Sequence, residues 1–218
     1  MLPAHGPRNP HFPAMTTTSL LALCLFGFVA SITPGPNNLM LLASGMNFGF
    51  RATIPHLAGV CIGFSLMTMA IGAGLGVVVT QVPLVYAAIK WLGAGYLLYL
   101  AWRIAMTPVN GNDPGNRRPA RPLGFVGAAM FQWVNPKAWA STVSAFAIYV
   151  PASPGVWTVL GVSALVLLIN LPCTTAWTLF GARLRHWLEE PGRARAFNWS
   201  MAFLLLLSLA PMLQTRPG

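Results

Sequence analysis

Acidic side chains are what this sequence has least of. Asp113, Glu189 and Glu190 stand alone against thirteen lysines and arginines in 218 residues. None of the three falls within a long apolar run, which argues against acid-built sodium sites and against an Asp or Glu proton relay. Cysteine is also scarce. Cys24, Cys61 and Cys173 all lie in apolar segments without paired spacing, so neither a disulfide framework nor a zinc site is indicated, and each reads as a small core residue. There is no Ser, His and acid constellation, no cluster of metal ligands and no nucleotide loop. Enzyme chemistry is therefore not expected, nor is a cofactor or a metal. Charged residues make up only 7% of the chain against 56% apolar, a balance too oily for an ordinary soluble domain.

What is present belongs in a bilayer. About twenty apolar residues cross the hydrocarbon core as a helix, and runs of roughly that length recur six times, over 18–42, 54–79, 84–104, 123–148, 156–180 and 197–213. The last is short and ends near Pro211. The opening "MLPAHGPRNPHFPA", residues 1–14, is proline-rich and reads as a disordered tail, with Met15 an alternative start of translation. The apolar run that follows is long and lacks a small-residue cleavage site, so it reads as a retained helix rather than a signal peptide.

The formal charge of +10 reports topology before it reports a partner. Arg51, Arg103, Arg117, Arg118, Arg121, Arg183, Arg185, Arg193 and Arg195 fall in loops that share one side of six spans, whereas Arg8, Lys90 and Arg216 fall towards the other. That bias makes the first side cytoplasmic and puts both termini outside. Contact with anionic membrane lipid comes second, and nucleic acid is not expected.

The linker 107–122, "TPVNGNDPGNRRPARP", divides the chain into halves of three spans, 15–106 and 123–218. Three spans per half force the second half to be inverted relative to the first. In proteins built this way, interrupted apolar segments at corresponding positions point to the binding site. Each half opens with such a segment: "SITPGPNN" at Ser31 to Asn38, and "FQWVNPKAW" at Phe131 to Trp139. The expected fold is an all-α polytopic membrane protein, six transmembrane helices in two inverted three-helix repeats with broken first helices.

The breaks carry the chemistry. Pro34 and Pro36 have no N–H, which frees the carbonyls of Ala30 and Ile32, while Gly35 gives the chain freedom to turn. Pro36 suits the first position of a fresh helix, with Asn37 and Asn38 in its first turn. In the second break Asn135 can cap, Pro136 can open the helix, and the carbonyl of Gln132 is freed. Irregular backbone in oil is tolerated only beside protein or a wet cavity, and a helix start favours a carboxylate. Two such starts make a midplane pocket for a zwitterion, its carboxylate at Asn37, Asn38 and Lys137, its ammonium at the freed carbonyls. Lys137 is the one basic residue deep within a run. Buried charge there is costly and usually functional, and an exchange between charged and neutral forms would couple transport to protons.

Helical spacing extends the polar lining through Ser141 and Ser144 beside Lys137, and through Asn170, Thr174 and Thr178. Packing and lining are equally open for the hydroxyls, whereas the amide of Asn170 is harder to place without a role. His56 reads either as a proton shuttle or as a packing histidine. Gly59 and Gly63, and Gly72 and Gly76, have the spacing of close helix contacts within or between subunits.

"TPGPNN", the glycine-rich "GFRATIPHLAGVCIGF", "LGAGYLLYLAWRIA" and "NPK" together resemble the lysine exporter (LysE/RhtB) family of amino-acid efflux proteins, across nearly all of 15–213. The look is nearest to its cysteine and O-acetylserine branch, although Pro136 stands where that branch has an aliphatic residue. The resemblance implies a multi-pass exporter of amino acids or their derivatives in the bacterial cytoplasmic membrane, driven by the proton gradient and homo-oligomeric. The lack of acids in the runs disfavours dibasic cargo and leaves small neutral amino acids. A passive channel for small solutes and a membrane scaffold are the competing readings.

Overall fold

A computed structural model of the chain describes residues 15–108, 121–187 and 190–210, and every regular element within them is helical. The tail 1–14, most of the linker 107–122 and the end of the sixth apolar run lie outside the described residues.

Helix α1 (Thr17–Ile32) opens on Thr16, whose side chain accepts from the Ser19 N–H at 3.1 Å. It stops where Pro34 forces Thr33 into an extended conformation, φ −64° and ψ 138°. Helix α2 (Pro36–Phe48) restarts with its proline at the first position, and the two axes differ by 50°. At Gly49, φ is 81°, a left-handed corner that favours glycine and lets α3 (Phe50–Ala70) begin at once. A π-helical turn (Ile71–Leu75) with Gly74 at φ 114° leads into α4 (Gly76–Gln81). Helices α5 (Pro83–Ala105), α6 (Phe125–Gln132), α7 (Pro136–Tyr149), α8 (Val156–Trp187) and α9 (Pro191–Leu207) complete the chain.

Both predicted interruptions are therefore real breaks. The ends of the apolar runs are less well matched: α3 starts at Phe50 rather than Ile54, α8 continues to Trp187 rather than stopping at Phe180, and α9 starts at Pro191 rather than Phe197. Hydropathy marks what can sit in oil, not where backbone hydrogen bonding stops, and arginines such as Arg183, Arg185, Arg193 and Arg195 are good helix formers. At about 48 Å, α8 is longer than a hydrocarbon core of about 30 Å, so a spanning α8 must tilt or extend beyond it.

Three stretches, Phe50–Val79, Pro83–Ala105 and Val156–Arg185, are long and apolar enough to cross a membrane, and the bent α1–α2 pair makes a fourth. Helices α6 and α7, with 8 and 14 residues, are divided by the second break, and α9 has 17. Large apolar side chains point outward, among them Leu21, Leu84, Trp91 and Trp157. That is the surface lipid requires.

Helix α2 is the centre of the molecule, with ten of its thirteen residues buried. It crosses α8 at glycines on both sides. A Cβ on Gly45 would strike the Thr178 backbone, and one on Gly181 would strike the Leu42 backbone. Gly59 and Gly63 admit α6 to α3 in the same way, against the Phe125 carbonyl and the Ala129 backbone. Of the other glycine pair, Gly72 faces Phe146 and Val159, while the Gly76 position meets only Ile71 of its own π-helical turn. The long second helix of each half packs on the broken helix of the other half, α3 on α6 and α8 on α1 and α2, while α3 also packs on α8 and α5 on α9.

Candidate functional site

A cavity opens where the breaks meet. It holds about 770 Å³ of empty space, counted out through its open mouth, and is lined from α1, α2, α3, α7 and α8. Asn37, Asn38, Asn135, Lys137 and Asn170 supply polar groups, and Phe26, Phe64, Leu165 and Ile169 supply apolar wall. No carboxylate lines it.

Lys137 joins the halves. Its ammonium donates to the carbonyl of Thr33 at 2.8 Å and approaches that of Pro34 at 3.4 Å, so a side chain from the second break serves the backbone of the first. Asn135 positions it: the Asn135 side chain accepts from the Lys137 N–H at 3.1 Å and caps α7, with Pro136 as its first residue, as the sequence predicted. Gly35 matters for a different reason from the one expected. Its φ of −172° is extended backbone that any residue adopts. What glycine provides is room for Lys137 in this position, because a Cβ there would lie 2.7 Å from Lys137 Cδ and 2.9 Å from its Nζ and would push that side chain aside.

The freed carbonyls are not left open in the way the sequence reading assumed. That of Ile32 accepts from the indole of Trp177 at 3.0 Å, and that of Gln132 accepts from the Asn135 N–H at 3.3 Å. The backbone oxygens that meet an ammonium are those of Thr33 and Pro34, and the ammonium is Lys137's own. A backbone acceptor in an apolar surrounding takes the nearest donor the fold offers.

Asn38, buried, stitches the first break by donating to the carbonyls of Ser31 at 2.7 Å and Thr33 at 3.0 Å. Asn37 makes a reciprocal amide pair with Gln132, at 2.9 and 3.1 Å, which ties one break to the other. Gln132 is completely buried and, like Pro34 and Pro136, is not among the residues lining the cavity. Asn170 does line it, and its amide lies 3.8 Å from Cys61 Sγ. Thr174 and Thr178 are buried and bond to carbonyls of their own helix, so for them the packing reading holds. Ser141 lines the cavity while donating to the Ala138 carbonyl; Ser144 does not line it. His56 lies away from this cavity, in contact with Ser44.

The family model for the LysE type translocator matches residues 28–213. The cysteine/O-acetylserine efflux proteins of Salmonella typhimurium and Escherichia coli are 34% and 32% identical to this chain over 194 residues, 88% of the chain and 96% of each relative. The chain belongs to the LysE family. No solved structure matches it.

Members of the LysE family are translocators, not enzymes, and the site fits that description: it offers hydrogen bonds and a cation in a cavity. Two features of this LysE site escaped the sequence reading. Each break has an indole clasp, Trp177 on the Ile32 carbonyl and Trp139 on that of Trp133 at 2.9 Å. Only the second clasp had a local signal, a tryptophan three residues after Pro136 whose buried indole N–H needs an acceptor. The other is Thr142, a cavity-lining residue whose buried hydroxyl has no hydrogen-bond partner. Thr68, also lining, donates to Phe64 of its own helix.

Proposed function

We propose that this LysE-family chain exports small neutral amino acids or their derivatives from the bacterial cytoplasm, with cysteine and O-acetylserine the first candidates, by proton-coupled alternating access. The observation that carries this reading is the reach of Lys137 from the second break onto the Thr33 and Pro34 carbonyls of the first, inside the cavity that both breaks line. An ammonium held by backbone carbonyls beside fresh helix starts is already a model of half a bound amino acid. The substrate's own ammonium competes for the carbonyls, and its carboxylate draws Lys137 off them, towards the free N–H groups that open α2. Substrate and Lys137 thus exchange partners, and a proton on Lys137 is the natural coupling particle.

In this proposal the chain crosses the membrane six times as two inverted repeats, counting α1–α2 and α6–α7 as one span each, with both termini outside. The exchange of partners between halves, α3 on α6 and α8 on α2, supports that arrangement. In this topology Leu23, Phe26, Ala145 and Val162, which line the cavity, lie in the outer halves of their spans, which supports an outward-facing shape. Alternating access then moves the first break against the second across the Asn37 and Gln132 pair.

Proteoliposomes loaded with cysteine, O-acetylserine, leucine, threonine and lysine test it. Loss of the small neutral solutes that depends on an imposed pH gradient is the expected result. Equal leakage of all five without a gradient would replace the exporter by a pore, and gradient-independent but selective efflux would remove proton coupling alone.

A further inference from the structure

A second cleft lies at the far end of α2. It encloses about 370 Å³ of empty space, mouth included, and its polar lining comes from Ser44, His56, Arg103, Thr107 and Arg121. His56 is only 1% exposed. Its Nδ1 is 3.0 Å from the Ser44 hydroxyl, while its Nε2 is buried without any hydrogen-bond partner. When Ser44 donates to Nδ1, the neutral ring carries its proton on Nε2 and presents an unused donor. A buried donor without an acceptor is costly and calls for an explanation.

Among the described residues the charged groups of the cleft are both cations, Arg103 and Arg121. Arg103 donates from Nη2 to the Arg121 carbonyl at 3.1 Å and lies over the Tyr99 ring at 5.9 Å. One of its five N–H donors is thereby used, which leaves most of the guanidinium for a ligand. Among the described residues no carboxylate lines the cleft, and Glu190 is engaged elsewhere, with Arg193 at 3.0 Å. The positive-inside bias accounts for arginines at this level. It does not account for a buried, half-satisfied histidine sharing a cleft with two of them.

We propose that this cleft is a carboxylate site, the cytoplasmic entry point at which the α-carboxylate of an outgoing amino acid is first held. The proposal rests on the export reading for its direction and cargo. Its place on the route follows from α2 itself: Met40, Ser44 and Phe48 line this cleft, while Pro36, Asn37 and Asn38 line the main cavity. Ser44 and Asn37 are about 10 Å apart along the helix axis. Arginine forks match a carboxylate in geometry and charge, and release from the cleft hands the carboxylate up one helix to the α2 start.

The test uses the full chain in nanodiscs with 15N-labelled histidine and acetate as the probe. The chain has four histidines, and His56→Gln identifies the signal of interest. Acetate is expected to shift the His56 ring resonances in phosphatidylcholine discs. Arg103→Gln and Arg121→Gln should each weaken acetate by about tenfold, Arg103→Lys should fall between, and Arg195→Gln, an equal loss of charge at an exposed position, should change nothing. In proteoliposomes Arg103→Gln should raise the KM for internal O-acetyl-L-serine about tenfold with little change in the maximal rate. Absence of any acetate response in neutral discs overturns the proposal. So does a response that phosphatidylglycerol abolishes while KM stays unchanged, since the site then holds a lipid phosphate. An acetate response in a chain that exports nothing supports the carboxylate site and overturns the export reading instead.

Discussion

At the first break the chain runs extended from Thr33 to Gly35 and the helix axis turns by 50°; at the second it stays coiled. There Trp133, Val134 and Asn135 donate their N–H groups to Met130, Phe131 and Gln132 at 3.1 to 3.3 Å, a run of tight i to i−3 bonds before the Asn135 cap. The second break thus satisfies most of its own carbonyls. The first gives up those of Ile32, Thr33 and Pro34 to Trp177, Asn38 and Lys137, two of which belong to the other half of the chain. A break served from outside can be released by whatever competes for its partners, whereas a self-served break is a fixed mount. In the proposed exporter the first break is the element that reads substrate, and the second is the pedestal that holds Lys137.

The strongest way to break this comparison is Lys137→Met, which leaves the mount and removes what it carries. Two hydrogen bonds from a charged group are lost, each worth about 1.5–3 kcal/mol, and gradient-coupled efflux is expected to fall by at least about 100-fold. The pedestal does not need the ammonium, so the variant should remain folded by size-exclusion chromatography and keep a slow, uncoupled flux. Coupled export at the native rate would show that Lys137 is a structural strut. Next in size is Gln132→Leu, which strands the Asn37 amide between the breaks at a cost of about 1–3 kcal/mol. In thermal unfolding, Asn37→Leu combined with Gln132→Leu should cost less than the sum of the singles, because the pair leaves together.

The breaks were legible because their prolines come with other breakers: Pro34 and Pro36 flank Gly35, and Pro136 follows the capping Asn135, whereas the lone Pro55 and Pro172 sit inside unbroken α3 and α8. What filled the breaks was not legible. Trp177 and Lys137 lie 145 and 103 residues from the carbonyls of Ile32 and Pro34 that they serve, and no local pattern names a partner at that distance. The same holds for Asn47 and Asn198, a reciprocal amide pair at 2.8 and 3.1 Å tying α2 to α9. Gly35 was read as a hinge on residue type alone, although what it provides is room for Lys137 across the cavity.

A smaller effect sharpens the pedestal. Asn135→Ala removes the cap of α7, and about 1 kcal/mol of stability should go with it. Asn135→Asp or Asn135→Ser should restore most of that loss. If the mount matters only through stability, efflux in these two variants returns in step with unfolding temperature. If it also aims Lys137, Asn135→Asp should restore stability but not rate, because a carboxylate two residues from the ammonium offers it a new partner.

Thr142 gives the smallest change in stability and separates cavity from core most cleanly. The residue is 3% exposed and lines the cavity, and its buried hydroxyl has no hydrogen-bond partner. Thr142→Val keeps the shape and removes a polar group that has no partner to lose, so the folded protein should be unchanged or more stable by up to about 1 kcal/mol. Thr68→Val, by contrast, gives up the bond to the Phe64 carbonyl and should lose about that much. In the proposed exporter a polar cargo is the partner of the Thr142 hydroxyl. Efflux of O-acetylserine by Thr142→Val should therefore fall by about threefold to tenfold, the value of one neutral hydrogen bond, while efflux of leucine stays level. Equal loss for both solutes would place Thr142 in the moving framework of the cavity and leave cargo selection to Asn37 and Asn170.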